Sequence, residues 1–135
     1  MKILIIENDL PLARIMAHLL SDAGCEVEVA PTGRSGIESA KVNKFDLITL
    51  SVDLPDITGF GVCSDIKQRY YSRFTPIVFV SRRTCLEDQH HGLEIGAADY
   101  IIKPFVSSEF APRIFAHIKT KTESHFIATT ESAKA

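Results

Sequence analysis

The sequence predicts a doubly wound α/β domain, a parallel β-sheet with helices on both faces. Three observations carry that prediction. Short apolar runs without polar alternation recur at Ile3–Ile6, Leu47–Leu50, Ile77–Val80 and Tyr100–Ile102, as in strands covered on both sides. The segments between them repeat their apolar residues at helical spacing. Strand and helix alternate five times, which right-handed crossovers resolve into one parallel sheet.

The elements follow in order. After Ile3–Ile6, residues Leu12, Ile15, Met16, Leu19 and Leu20 have the i, i+3, i+4, i+7, i+8 spacing of one buried helix face. Asp9, just ahead, is placed to cap that helix. Val27-Glu28-Val29 alternates and suits an edge strand, and Ile37 with Ala40 marks a second helix. Leu47–Leu50 is the third strand, and Cys63, Ile66 and Tyr70 give the third helix its apolar face. Ile77–Val80 precedes a short helix with Leu86 and Leu93 on one face and Gly92 and Gly96 as breaks. Tyr100–Ile102 is the fifth strand, and Phe110, Ile114, Phe115 and Ile118 form the face of the last helix. Pro112 lies about a turn into that helix, where it removes one backbone bond. Past Lys121 the periodicity stops, with Phe126 and Ile127 isolated among polar residues. One domain is expected over residues 1–121, with 122–135 a polar C-terminal tail or the start of a linker.

At 135 residues the chain suffices for one domain with a real core. Its net charge of −2 gives no electrostatic reason to expect a nucleic-acid or membrane partner. The apolar runs are too short to span a bilayer, and the start lacks the long apolar core of a signal peptide. The three cysteines, Cys25, Cys63 and Cys85, are widely spaced with no C-x-x-C pair, so free thiols in a reducing cytoplasm are expected. His90 and His91 are adjacent, which on a helix turns them about 100° apart and unsuits them to share a metal.

Functional residues in such sheets lie beyond the carboxyl ends of the strands. The first strand runs into Glu7-Asn8-Asp9, the third into Ser51, the fourth into Ser81 and the fifth into Lys103. Four strands thus deliver polar side chains to one end of the sheet, as a shared pocket requires.

These positions sit within longer motifs: Asp46 to Ser51 with the turn Leu54-Pro55-Asp56-x-x-Gly59, the hydroxyl of Ser81, and the run Gly96 to Phe105 that contains Tyr100, Lys103 and Pro104. Together they resemble the receiver domain of bacterial response regulators, over roughly residues 2–120. The resemblance implies a flavodoxin-like (βα)5 fold with strand order 2-1-3-4-5 and a cytoplasmic module of a two-component system or phosphorelay. It implies a site in which acidic residues after the first strand and an acceptor aspartate hold Mg²⁺. By that resemblance Glu7 and Asn8 stand at the acidic pair, Ser51 at the acceptor, and Asp53 where a main-chain carbonyl touches the metal. Ser81 and Tyr100 match the switch pair, Lys103 the lysine that pairs with the acceptor, and Pro104 a proline whose preceding bond is usually cis.

The departures decide the expected function. Ser51 is a neutral hydroxyl, a poor nucleophile without a base, and Asn8 carries no charge. Glu7 alone keeps a carboxylate among the three metal positions, so Mg²⁺ binding is expected to be weak at most. Lys103, deprived of its usual partner, is expected to form a salt bridge with Glu7 and a hydrogen bond to Ser51. Arg82 stands at the pocket entrance, where the family commonly has a small residue; with Arg83 it is expected to lie solvated on a loop.

The leading expectation is a degenerate receiver, not an enzyme, that works through protein–protein contact with a sensor kinase, an output domain or another signalling protein. The resemblance adds a homodimer through the fourth helix, fifth strand and fifth helix. The alternative is a receiver still phosphorylated at a non-standard residue, Ser51 or Asp53. A flavodoxin-type cofactor binder is disfavoured, because Glu7-Asn8-Asp9 would repel a phosphate where that class needs a phosphate loop.

Overall fold

The computed structural model describes residues 1–118; the expected tail or linker at 122–135 lies outside them. The elements are β1 (Lys2–Ile6), α1 (Leu10–Asp22), β2 (Glu26–Ala30), α2 (Gly33–Val42), β3 (Leu47–Leu50), α3 (Gly59–Gln68), β4 (Ile77–Ser81), α4 (Leu86–Glu94) and β5 (Asp99–Ile102). A fifth helix, α5, follows over residues 107–118 and runs through Pro112 without interruption. All pairings are parallel, in the order β2-β1-β3-β4-β5. The doubly wound fold and strand order expected from the sequence are the ones observed.

Alternation along each strand splits the core in two. Leu4, Ile6, Ile48, Leu50 and Phe79 point to the face covered by α2 and α3, against Ile37, Val62 and Ile66. Ile3, Ile5, Leu47, Val78 and Val80 point to the other face, against Met16 and Leu20 of α1 and Phe110 and Ile114 of α5. Both faces being dry explains why the central strands read as near-continuous apolar runs.

Three apolar faces differ from the sequence expectation. In α1 the buried residues are Ala13, Met16 and Leu20, while Ile15 is half exposed; small Ala13 centres the stripe, which a search for bulky residues places too far round the helix. Helix α3 ends at Gln68, so Tyr70 is outside it and exposed. Leu86 and Leu93 of α4 are also exposed, and Gly92 is the buried residue. Gly92 is no break: a Cβ there would stand 3.1 Å from the Phe79 ring, so its missing side chain lets α4 lie close on the sheet. Gly96, with φ +110°, is where the chain turns out of α4.

Asp99 ties β5 to α5. Its carboxylate accepts two bonds from Arg113, at 2.8 and 2.9 Å, and lies 2.9 Å from His117 Nε2. Partial burial would raise its pKa, but the hydrogen bonds from Arg113, His117 and the Tyr100 amide outweigh it and hold the carboxyl at about 2. A depressed carboxylate contributes stability that is complete above its unfolded pKa, about 4, and is lost as pH falls through the folded value. Unfolding free energy is therefore expected to drop between about pH 4 and pH 2, and urea titrations of Asp99→Asn should show a shallower fall than the parent.

Thr49 on β3 is fully buried, and its hydroxyl has no hydrogen-bond partner among the described residues. An unmatched buried polar group is costly. Thr49→Val is expected to raise the urea unfolding free energy by about 1 kcal/mol, and a loss of stability would contradict the unpartnered hydroxyl.

Candidate functional site

The carboxyl ends of β1, β3, β4 and β5 converge on a cavity of about 280 Å³. Glu7, Asn8, Asp9, Ser51, Asp53, Ser81, Arg82 and Lys103 line it. Of the residues singled out in the sequence, all but Tyr100 and Pro104 line this cavity.

Glu7 continues β1 and is buried, its amide bonded to the Ala30 carbonyl. Its Oε1 accepts from Lys103 Nζ at 2.6 Å, with both side chains at least nine-tenths buried. The other oxygen accepts from the Asp9 amide at 3.0 Å. The Asn8 amide lies against two acceptors, Glu7 Oε2 and the Asp53 carbonyl oxygen; its orientation is assigned from them, and with nitrogen inward it would donate to both, at 3.3 and 3.0 Å. Asp9 caps α1, its carboxylate accepting from the Leu12 amide.

Ser51 ends the buried run of β3, with its amide bonded to the Ile6 carbonyl. Its hydroxyl has no hydrogen-bond partner among the described residues, so the expected bond from Lys103 is absent. The hydrogen bond that Lys103 makes goes to the Glu7 carboxylate, a stronger acceptor for an ammonium than a neutral hydroxyl. Gly59 shapes the loop beyond. A Cβ at Gly59 would stand 2.0 Å from the Ser51 carbonyl oxygen, so only glycine allows α3 to begin against the end of β3.

The flanking loops are pinned by polar contacts. The Asp53 carboxylate accepts from Arg83 at 3.0 Å (Nε) and 2.7 Å (Nη2), and Arg83 also reaches Asp88 at 3.5 Å. Arg83 is thus not a free loop cation as the sequence suggested. The Asp56 carboxylate caps α2, accepting from the amides of Gly33 and Arg34 at 2.8 and 2.9 Å. Those backbone donors, the Arg34 amide foremost, hold its pKa below the usual carboxylate range. Arg82 is mostly solvated at the cavity mouth, 3.6 Å from Asp9.

Ser81 is buried, and its hydroxyl accepts from the Arg83 amide at 3.1 Å. Tyr100 is buried beside Phe79, and its hydroxyl donates to the Arg83 carbonyl at 2.9 Å. Burial pushes its phenol upward. Arg83 therefore joins three chain segments, a role that no local sequence signal announces. The Lys103–Pro104 bond is cis.

These residues do not fit a hard divalent cation. Mg²⁺ needs several anionic or carbonyl oxygens arranged octahedrally. Here Glu7 is ion-paired with Lys103 and the Asp53 carboxylate with Arg83, and Asn8 brings only a neutral amide. Ser51 adds no charge. His90 and His91 assemble no site either; among the described residues no three metal-ligating side chains cluster.

The family model described as "Response regulator receiver domain" matches residues 3–115. The chain is 36% identical over 126 residues to response regulator ArlR of Staphylococcus saprophyticus, covering 93% of this chain and 56% of that protein. It is 30% identical to transcriptional regulatory protein DltR of Streptococcus agalactiae, covering 98% of this chain and 66% of the other. The chain thus spans little more than half of its ArlR relative. Among solved structures, chemotaxis response regulator CheY4 of Vibrio cholerae superposes with a TM-score of 0.80 at 30% identity, covering 87% of this chain and 97% of that one. The non-phosphorylated HemR receiver domain of Leptospira biflexa gives 0.80 at 31%, covering 87% and 93%.

The buried pair yields a test. Removing one partner strands a charge in the interior, which costs about 3–5 kcal/mol, whereas replacing both by apolar groups of similar size is far milder. Lys103→Met is expected to lose that much in urea unfolding, and Glu7→Leu/Lys103→Met to recover most of it. A double variant as unstable as Lys103→Met would refute the pairing.

Proposed function

The chain belongs to the response regulator receiver domain family of bacterial two-component systems, and we propose that it acts there as a binding module whose state is set by protein contact rather than by aspartyl phosphorylation. The observation that carries this reading is the closed charge arrangement of the cavity. Ser51 stands where the acceptor would be, and Lys103, the cation that would meet a phosphoryl group, is consumed by Glu7 at 2.6 Å. Asn8 brings a neutral amide, with no charge to hold a metal.

Asp53 is the less favoured acceptor, because two Arg83 nitrogens already hydrogen-bond its carboxylate. Ser51 phosphorylation is the alternative, favoured by one observation: its hydroxyl lines the cavity unpartnered. It lacks a general base, since the nearby Glu7 is ion-paired.

The partners proposed are those of a receiver: a sensor kinase, an output domain or another signalling protein. A homodimer through α4, β5 and α5 is part of the proposal, supported by the exposure of Leu86, Leu93 and Val106 on those elements and the connection between them. No helix among the described residues is long and apolar enough to cross a membrane, and a cytoplasmic location is proposed with the family role.

Intact mass after incubation with phosphoramidate and Mg²⁺, beside an active receiver, tests the reading. No phosphoryl adduct is expected. An adduct would overturn it, and mapping to Ser51 or Asp53 would identify the acceptor.

A further inference from the structure

The connection from α3 to β4, residues 69–76, lies at the amino end of the sheet, opposite the cavity. It turns its largest side chains outward: Tyr70 is 83% exposed, Tyr71 59% and Phe74 71%. Its small residues face in. Ser72 and Thr75 are buried, and the Ser72 hydroxyl donates to the Ile66 carbonyl at 2.7 Å. The Arg73 amide bonds the Arg69 carbonyl at 2.9 Å and the Thr75 amide the Ser72 carbonyl at 3.0 Å. Lys67 Nζ donates to the Thr75 carbonyl at 2.7 Å. The backbone is pinned from within, so the aromatic rings are held in water by the turn that carries them.

Aromatic rings fixed in water keep the unfavourable hydration that another surface would remove. The patch also carries charge. The Arg73 guanidinium stands 4.8 Å from the centre of the Tyr70 ring and 4.7 Å from that of Phe74, a stacking that stiffens all three. Lys44, Tyr70, Tyr71, Arg73, Phe74 and Thr75 line a shallow cavity of about 300 Å³, and none is acidic. Among the described residues neither Arg73 nor Lys44 pairs with a carboxylate.

We propose that this surface docks an acidic protein segment bearing an aromatic or apolar anchor. Its carboxylates meet Arg73 and Lys44, and its anchor sits among Tyr70, Tyr71 and Phe74. Tyrosine and arginine are the residues in which interface energy concentrates, and a preformed loop lowers the ordering cost of binding. A single-stranded nucleic acid also stacks on aromatic rings, but it needs a groove of cations tracking its phosphates. Two unpaired cations on a chain of net charge −2 do not supply one. The inference deepens the protein-binding role proposed above and rests on it, while using a surface remote from the cavity.

The test is an amide NMR titration of the 135-residue chain with a synthetic octapeptide of glutamate and aspartate carrying one tryptophan and one phenylalanine. Saturable shifts confined to residues 69–76 and Lys44 are expected, with affinity reduced at least about tenfold in Arg73→Glu and in Phe74→Ser. Both positions are exposed, and unchanged circular dichroism checks that the fold survives. Four results overturn the proposal: no saturable shift, shifts only elsewhere, equal binding of a lysine-based counterpart, or tighter binding of a thymidine oligonucleotide at the same amides. Self-association abolished by Phe74→Ser would give the patch to a second copy, and shifts at residues 69–76 caused by Phe126→Ser would give it to the chain's own C-terminal segment; either also overturns it. The phosphoramidate experiment is independent. Peptide binding together with a phosphoryl adduct would sink the phosphorylation-independent reading alone, and neither would sink the docking site alone.

Discussion

The site depends on a buried carboxylate at the end of β1 and the ammonium that reaches it from the end of β5. Glu7 and Lys103 leave water together, and a charge so placed is tolerable only when opposed and hydrogen-bonded. The two strands are not neighbours: β3 and β4 lie between them in the sheet. The pair therefore spans the mouth of the fold and sets what the rest of the mouth can hold. Lys103 bonds Glu7, Ser51 has no hydroxyl partner among the described residues, and the Asn8 amide lies against Glu7 and the Asp53 carbonyl.

A second consequence is that the loops around the cavity are tied to one another without an external ion. Asp53 joins the loop after β3 to Arg83 beyond β4. Arg83 in turn receives the Tyr100 hydroxyl on its carbonyl, and Asp56 fastens the same β3–α3 loop to the start of α2. The groups around the cavity are hydrogen-bonded inside the chain. A partner shifts such a domain only to the extent that it binds one arrangement better than another. The aromatic loop before β4, hydrogen-bonded along its backbone and outward-facing, lies at the other pole of the sheet and does not draw on these contacts.

Local pattern made the fold readable. Leu47–Leu50 and Ile77–Val80 announce strands buried on both faces because apolar residues fill them with only Thr49 intervening, and the polar residue ending each run marks the site. The same local reading failed where packing rather than periodicity chose the buried residue. Ala13 rather than Ile15 is buried on α1, and Gly92 rather than Leu86 or Leu93 faces the core because the Phe79 ring fills the space a side chain would need. Tyr70 falls one residue past the C-cap of α3, a boundary the helical spacing did not mark.

By itself the sequence determined which segments are strands and helices, which polar residues the strands carry to one end, and that two of these, Ser51 and Asn8, carry no charge. Those properties are written in residue identity and in spacings of a few positions. Only the tertiary structure decided who pairs with whom. Lys103 meets Glu7 from 96 residues away, and Arg83 meets Asp53 from 30. Such pairings depend on strand order, loop path and the depth at which each charge is buried, and on competition among acceptors for one cation. No short-range pattern encodes that competition, because its outcome is fixed by distances that exist only after the chain has folded.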